Sequence, residues 1–92
     1  MPIKSVEALK KLALSHWKET RPTMVKSMTR EQLEEQAMED AEWSHEAMQR
    51  IYDKLIKDYD LNDLLATSAA EQEILPMRIL LPYEKDEKAG LI

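Results

Sequence analysis

Residues 30–59 constrain the fold most, because they follow a strong helix-start signal and contain neither proline nor glycine. Thr29 and Gln32 form a T-x-x-Q capping box, in which each side chain accepts a hydrogen bond from the other residue's backbone amide. Met28 and Leu33 are spaced as the hydrophobic staple that accompanies such a box. The pattern predicts a single helix of about 30 residues, which is about 45 Å long.

The predicted long helix carries an apolar stripe along its whole length. A globule of 92 residues has a diameter of roughly 32 Å, which is less than the length of this helix. We therefore expect the helix either to bend or to project and bury its stripe against a partner. The stripe recurs at spacings of three and four and consists of Leu33, Ala37, Ala41, Ser44, Met48, Ile51, Leu55 and Tyr59, widened by Met38, Tyr52 and Ile56.

A shorter helix is predicted before the long one. Ser5 has the side chain of a helix N-cap residue, and apolar residues recur at helical spacing after it. Arg21 ends this first helix, because a proline disfavours helical geometry in the residue before it. Pro22 can open a short turn of its own, since proline is well tolerated at a first helical position.

A third helix is predicted over about residues 63–75, with Asp60 or Asn62 as its cap and Pro76 as its stop. Residues 77–82 are too few to assign by periodicity and fit a strand, an extended packing arm or a helical turn. The buried side of the third helix is predicted to consist of Leu61, Leu64, Leu65, Ala69 and Ile74.

Together these elements predict an all-α fold with three helices, one of them long and central, and a short extended C-terminal arm. The length suits one helical domain over residues 1–84, and the polar residues 85–92 are expected to form a flexible tail. No apolar run approaches the roughly 18 residues of a membrane span, and the first residues do not resemble a signal peptide. We expect a cytoplasmic protein with no membrane contact.

The composition excludes several classes of enzyme. The chain has no cysteine for a disulfide or thiolate metal site, and its one glycine, Gly90, excludes Walker loops and dinucleotide fingerprints. Ser–His pairs occur at residues 15–16 and 44–45, but consecutive helical side chains point about 100° apart, and no glycine elbow is present. We therefore expect no catalytic residue, no cofactor and no enzyme activity.

Charge divides the chain into two regions. Residues 1–30 hold seven bases and two acids, whereas residues 31–49 hold seven acids and no lysine or arginine. An acidic face of this kind can imitate nucleic-acid phosphates and occupy a basic groove of another protein. It also repels phosphate, so direct nucleic-acid binding is not expected. The acidic face consists of Glu31, Glu34, Glu35, Glu39, Asp40, Glu42 and Glu46.

Glu42 and His45 form an E-x-x-H pattern, which is half of the motif of carboxylate-bridged di-iron bundles. A complete site needs two such segments and two further glutamates. This chain has one, so only a dimer could complete the set. A metal-binding helical dimer is therefore an alternative function, and we expect the single chain to hold no metal.

Two short motifs give the chain a resemblance to a family of small uncharacterised bacterial proteins, frequent in cyanobacteria and mobile elements. These proteins read W-x-x-x-R-P-x-M and then L-L-P-x-E, and the transposon-encoded TnpV proteins are similar. The resemblance implies a small helical accessory protein, encoded by a phage or mobile element, and it carries over no catalytic residue. The matching residues are Trp17, Arg21, Pro22 and Met24, then Leu33, Ala37 and Met48 in a stretch of spaced leucine and alanine, and finally Leu80, Leu81, Pro82 and Glu84.

The sequence thus predicts a non-enzymatic accessory or regulatory protein that acts through protein–protein contacts. Its partner is another protein, and a homodimer is expected as well. Antiparallel long helices would bring the basic region of one chain near the acidic face of the other, twice by symmetry. The residues expected at protein interfaces are Trp17, Trp43, Met48, Tyr52, Leu55 and Tyr59.

Overall fold

The computed structural model describes residues 3–84, so the tail predicted over residues 85–92 lies outside the described residues. The predicted all-α fold with a long central helix is confirmed, and the described residues contain no strand. A fourth, five-residue helix occupies the position where a turn after Pro22 was predicted. The helices are α1 (Val6–Thr20), α2 (Pro22–Lys26), α3 (Arg30–Tyr59) and α4 (Asp63–Arg78).

Local sequence signals fix both ends of α3. The capping box forms as predicted: the Gln32 amide donates to the Thr29 hydroxyl at 3.1 Å, and the Thr29 amide donates to the Gln32 side chain at 2.9 Å. Asp60 ends the helix in the left-handed region, at φ 53, which aspartate tolerates better than most residues. The alternative between Asp60 and Asn62 is thereby resolved, because the Asn62 side chain caps α4 by accepting from the Leu65 amide at 2.9 Å.

The fold is built around α3, which packs against both α1 and α4. The segment before α1 lies beside the middle of α3, where the His45 ring bonds to the Lys4 carbonyl at 2.9 Å. The last turn of α4 reaches the first half of α3, where Arg78 lies 3.4 Å from Asp40. Both short connections make antiparallel pairs, so α1 and α4 flank α3 over different parts of its length.

Small residues let the helices approach closely. Ala37 and Ala41 of α3 are fully buried, as are Ala13 of α1 and both Ala66 and Ala70 of α4. Short side chains at the contact reduce the distance between helix axes. The large core residues then fill the space between them: Leu9, Trp17, Met48 and Ile79.

The predicted stop at Pro76 is wrong, because α4 continues to Arg78. Proline inside a helix removes its own N–H from the helical ladder, and its ring crowds the carbonyl four residues earlier, but Pro76 lies in the last turn. The bonds that follow are intact, since the amides of Ile79 and Leu80 both donate to the Leu75 carbonyl, at 3.0 and 2.7 Å. Burial of Leu75 and Ile79 holds the last turn in place.

The molecule is a flat slab of 43 × 33 × 15 Å. Its longest dimension matches the roughly 45 Å of a 30-residue helix, so α3 spans the whole protein. Because α1 begins near His45, α4 is the helix of the described residues that covers the half of α3 beyond that residue.

Candidate interaction surfaces

The end of α3, the following turn and the start of α4 form one exposed feature, residues 58–65, which we name the hairpin tip. Tyr59 is 64% exposed, Leu64 78% and Leu65 54%. Within residues 3–84, α4 is the helix that packs beside α3 at this end, and it leaves these side chains exposed. Large apolar residues that cluster on a small protein mark interaction sites more often than isolated ones do.

The base of the hairpin tip is held by a polar contact between the two helices. The Tyr52 hydroxyl donates to the carboxylate of Asp63 in the first turn of α4. The neutral phenol donates this hydrogen bond and would lose it on ionisation, and the nearby negative charge also disfavours the phenolate. Both effects raise the pKa of Tyr52. The contact fixes how α4 leaves α3 and therefore how Leu64 and Leu65 are presented.

The hairpin tip is also acidic. Asp58, Asp60 and Asp63 are all exposed, and residues 58–65 contain no lysine, arginine or histidine. Exposed leucines thus lie among carboxylates. A partner that fits the hairpin tip must therefore present positive charge beside its apolar surface.

At the opposite end of the molecule, an open groove lies between α1, α2 and the start of α3. We name it the α1–α3 groove. Its volume is about 500 Å³, within the roughly 300–1,000 Å³ of sites that accept whole small molecules. Four of the seven lining residues are apolar, and two are basic. The lining consists of Leu14, Val25, Met28 and Leu33 with Lys18, Arg30 and Glu34.

Six of the seven residues of the predicted acidic face are exposed, and most of them recur at spacings of four and seven along α3. Asp40 is the exception, and its placement on that face is wrong. Its side chain is buried, accepting from Gln36 at 3.2 Å and facing Arg78 at 3.4 Å. Burial raises the pKa of Asp40, and these two partners oppose the shift. The exposed set is Glu31, Glu34, Glu35, Glu39, Glu42 and Glu46.

Arg78 also explains the position of Trp43. Its guanidinium lies 4.2 Å from the centre of the Trp43 ring, in a cation–π contact that leaves the ring half-buried. This cluster was not predicted, because Pro76 was expected to end α4 before Arg78 could join it.

The chain after α4 folds back over α1 and α2, and we name residues 79–84 the clasp. The Trp17 indole N–H donates to the Ile79 carbonyl at 2.9 Å. The neighbouring residue, His16, donates from Nε2–H to the Leu81 carbonyl at 2.9 Å, since a carbonyl can only accept. These two bonds bind the backbone of the clasp to α1. The clasp is not a uniformly extended arm, because Ile79 and Leu80 form a turn and a bend, and residues 81–83 have no regular secondary structure.

Two further contacts complete the clasp. Arg21 donates to the Pro82 carbonyl at 3.2 Å, and a Glu84 carboxylate oxygen accepts from the Met24 amide at 3.1 Å. Desolvation raises the pKa of Glu84, but hydrogen bonds from Thr23 and Met24 and the charge of Arg21 outweigh it, so that the pKa is lowered. The W-x-x-x-R-P-x-M and L-L-P-x-E motifs thus bind each other, which gives both a structural role.

The six predicted interface residues differ in how far they are exposed. Trp17 and Met48 are 1% and 0% exposed, so both belong to the core and not to a surface. Tyr52 and Leu55 are half-buried, as is Trp43. Of the six predicted residues, Tyr59 is the exposed one.

Leu64 and Leu65 are the interface candidates that the sequence reasoning missed. Both were predicted to be buried in the third helix, and both are exposed. The buried side of α4 instead follows Ala66, Ala70 and Ile74, which recur every four residues. That alanine spacing was visible in the sequence, but the prediction placed the larger leucine side chains in the core instead.

For the metal-binding alternative, the described residues of one chain form no set of ligands. The Nδ1–H of His45 donates to the Lys4 carbonyl, which ties the N-terminal segment to α3. Over residues 3–84, no three histidine, aspartate or glutamate side chains converge closely enough to hold a metal ion. Over the same residues, no helix has both the length and the apolarity to cross a membrane.

Comparison with known proteins adds no assignment: no family model, no curated protein and no solved structure matches this chain. The proposal of a function therefore depends on the exposed surfaces of the protein.

Proposed function

We propose that this protein is a non-enzymatic accessory or regulatory protein that contacts a protein partner through the hairpin tip. The supporting observation is the exposure of Tyr59, Leu64 and Leu65 within eight consecutive residues, 58–65. Each Å² of apolar surface that a partner removes from water contributes roughly 25 cal/mol. Met77 and Tyr83 are also exposed, but they lie apart from this group in the chain, so the hairpin tip offers the largest set of exposed apolar side chains in one segment of the described residues.

The same proposal covers the setting in which the protein works. The resemblance of its two motifs to mobile-element proteins supports an accessory protein of such an element, acting in the cytoplasm. The contact between those motifs in the clasp is what stabilises the fold that presents the hairpin tip.

A capture experiment with matched surface variants tests the proposal. The tagged native chain is compared with a variant that carries both Leu64→Ser and Leu65→Ser, and with Met77→Ser as the control. Met77 is 56% exposed on the same helix but lies near its other end. We expect the protein that co-purifies with the native chain to be lost with the tip variant and kept with the control. Retention by the tip variant would exclude the hairpin tip as the contact surface.

The exposed acidic face favours a second candidate function, an acidic mimic that blocks a nucleic-acid-binding protein. Its glutamates lie on the side of α3 that faces solvent. Such a mimic would capture a basic partner in a salt-sensitive manner, because exposed charges are screened by added ions. Replacing both Glu35 and Glu42 with lysine should then release the partner, whereas the tip variant should retain it.

A further inference from the structure

We propose that the hairpin tip of one copy docks into the α1–α3 groove of a second copy, so that chains associate head to tail. This inference rests on the proposed function, since it takes the hairpin tip as the contact surface and names what it contacts. The argument depends on three observations: the charges of the two surfaces, their apolar residues and their separation along α3.

The two surfaces carry opposite charges. The hairpin tip has three exposed aspartates and no base, whereas the lining of the groove holds two bases, Lys18 and Arg30, and one acid, Glu34. Complementary potentials orient two partners and favour this pairing over a contact between like surfaces.

The apolar parts also match. The groove has an apolar lining with Lys18 and Arg30 among its residues, and the tip offers Tyr59, Leu64 and Leu65 with aspartates between them. Leucine side chains that enter the groove would lose contact with water. Their neighbouring carboxylates would then face the two bases.

The tip cannot reach the groove of its own chain. From Leu33 at the groove to Tyr59 at the tip, α3 rises about 39 Å at 1.5 Å per residue. The contact is therefore between copies, and it joins two different surfaces. Each added copy leaves one tip and one groove free, so the chains form a filament or close into a ring. This differs from the symmetric homodimer that the sequence suggested.

Sedimentation velocity of the native chain over a concentration series is the first test. We expect the mass to rise from 10.7 kDa past that of a dimer, and to fall again when salt screens the charges. Arg30→Glu should hold the chain at the monomer mass. This variant should fold, because an acid in the first turn of a helix is favourable. Arg50→Glu, the same substitution at an exposed position of α3, is the control and should associate as the native chain does.

A mixing experiment tests the direction of the contact. Leu64→Ser with Leu65→Ser removes the tip but keeps the groove, and Arg30→Glu weakens the groove but keeps the tip. Each variant alone should stay a monomer. Their mixture should give a one-to-one complex of twice 10.7 kDa that does not grow further.

Two results would overturn the head-to-tail contact. If Arg30→Glu associates like the native chain while the tip variant does not, two tips contact each other in a symmetric dimer, and the proposed function survives. If the native chain stays at 10.7 kDa at every concentration, self-docking is wrong, and the capture experiment alone judges the proposed function.

Discussion

The two ends of α3 face very different surroundings. At its first end, α3 packs against α1, and the clasp is bound beside it to Trp17, His16 and Arg21 through its backbone carbonyls. At its last end, α4 is the helix that packs beside it within residues 3–84, and leucines stay exposed. The difference shows how a chain of 92 residues divides its apolar side chains: one end stabilises the fold, and the other remains free for contact.

The largest expected effect comes from comparing a charge placed in the core with a charge placed at the hairpin tip. Met48→Asp puts a carboxylate at a position that is 0% exposed, and an unpaired buried charge should cost more than about 4 kcal/mol. Leu64→Asp makes a comparable change at a position that is 78% exposed, and should change stability by less than about 0.5 kcal/mol. Chemical denaturation followed by circular dichroism measures both. Equal midpoints would contradict the burial of Met48 in the core and the exposure of Leu64 at the hairpin tip.

A smaller loss of stability is expected from a substitution that removes one hydrogen bond of the clasp. Trp17→Phe removes the indole N–H that the buried Ile79 carbonyl accepts, and loss of such a buried bond costs about 1–3 kcal/mol. The same substitution at the half-buried Trp43 weakens one cation–π contact, which is worth about 0.5–1 kcal/mol. Urea denaturation of the two variants compares them directly. If Trp43→Phe proves the more damaging, the clasp does not stabilise the first end of α3.

The middle of α3, where the two regions meet, carries one unpaired polar group. Ser44 is fully buried, and within residues 3–84 its hydroxyl has no hydrogen-bond partner. Ser44→Ala should therefore stabilise the protein by about 1 kcal/mol, since the hydroxyl loses water on folding and gains nothing in return. Ser68→Ala is the control, because Ser68 is exposed. A destabilised Ser44→Ala variant would mean that the hydroxyl is satisfied in solution.

The sequence predicted the elements of the fold better than their packing. Thr29 and Gln32 determine the start of α3 through atoms of their own turn, so the capping box could be identified from four adjacent residues. The continuation of α4 past Pro76 depends on burial of Leu75 and Ile79 by distant parts of the chain. No local signal carries that information.

The candidate surface was predictable in part for the same reason. Tyr59 lies near the end of a stripe that was evidently longer than its neighbours could cover, so its exposure followed from helix length alone. Leu64 and Leu65 required knowing which face of α4 meets α3, and the contact is made by alanines. The clasp was hidden too, because Trp17 and Ile79 are 62 residues apart in the chain.

The smallest expected effect concerns the pH dependence of the clasp. The lowered pKa of Glu84 means that folding favours its carboxylate, so the contribution to stability is present above the ordinary value of 4.5 and is lost as the pH falls through the lowered pKa. Glu84→Gln should therefore be less stable than the native chain near neutral pH, and the difference should close as the pH falls below 4.5 and through the lowered pKa. Asp40→Asn is the control, and the pH dependence of its stability should have the opposite sign. Burial raises the pKa of Asp40, so the stability of this variant relative to the native chain should improve as the pH rises. Thermal melts across the pH series measure both. A Glu84→Gln difference that persists in acid would show that the side chain binds Met24 and Thr23 without its charge.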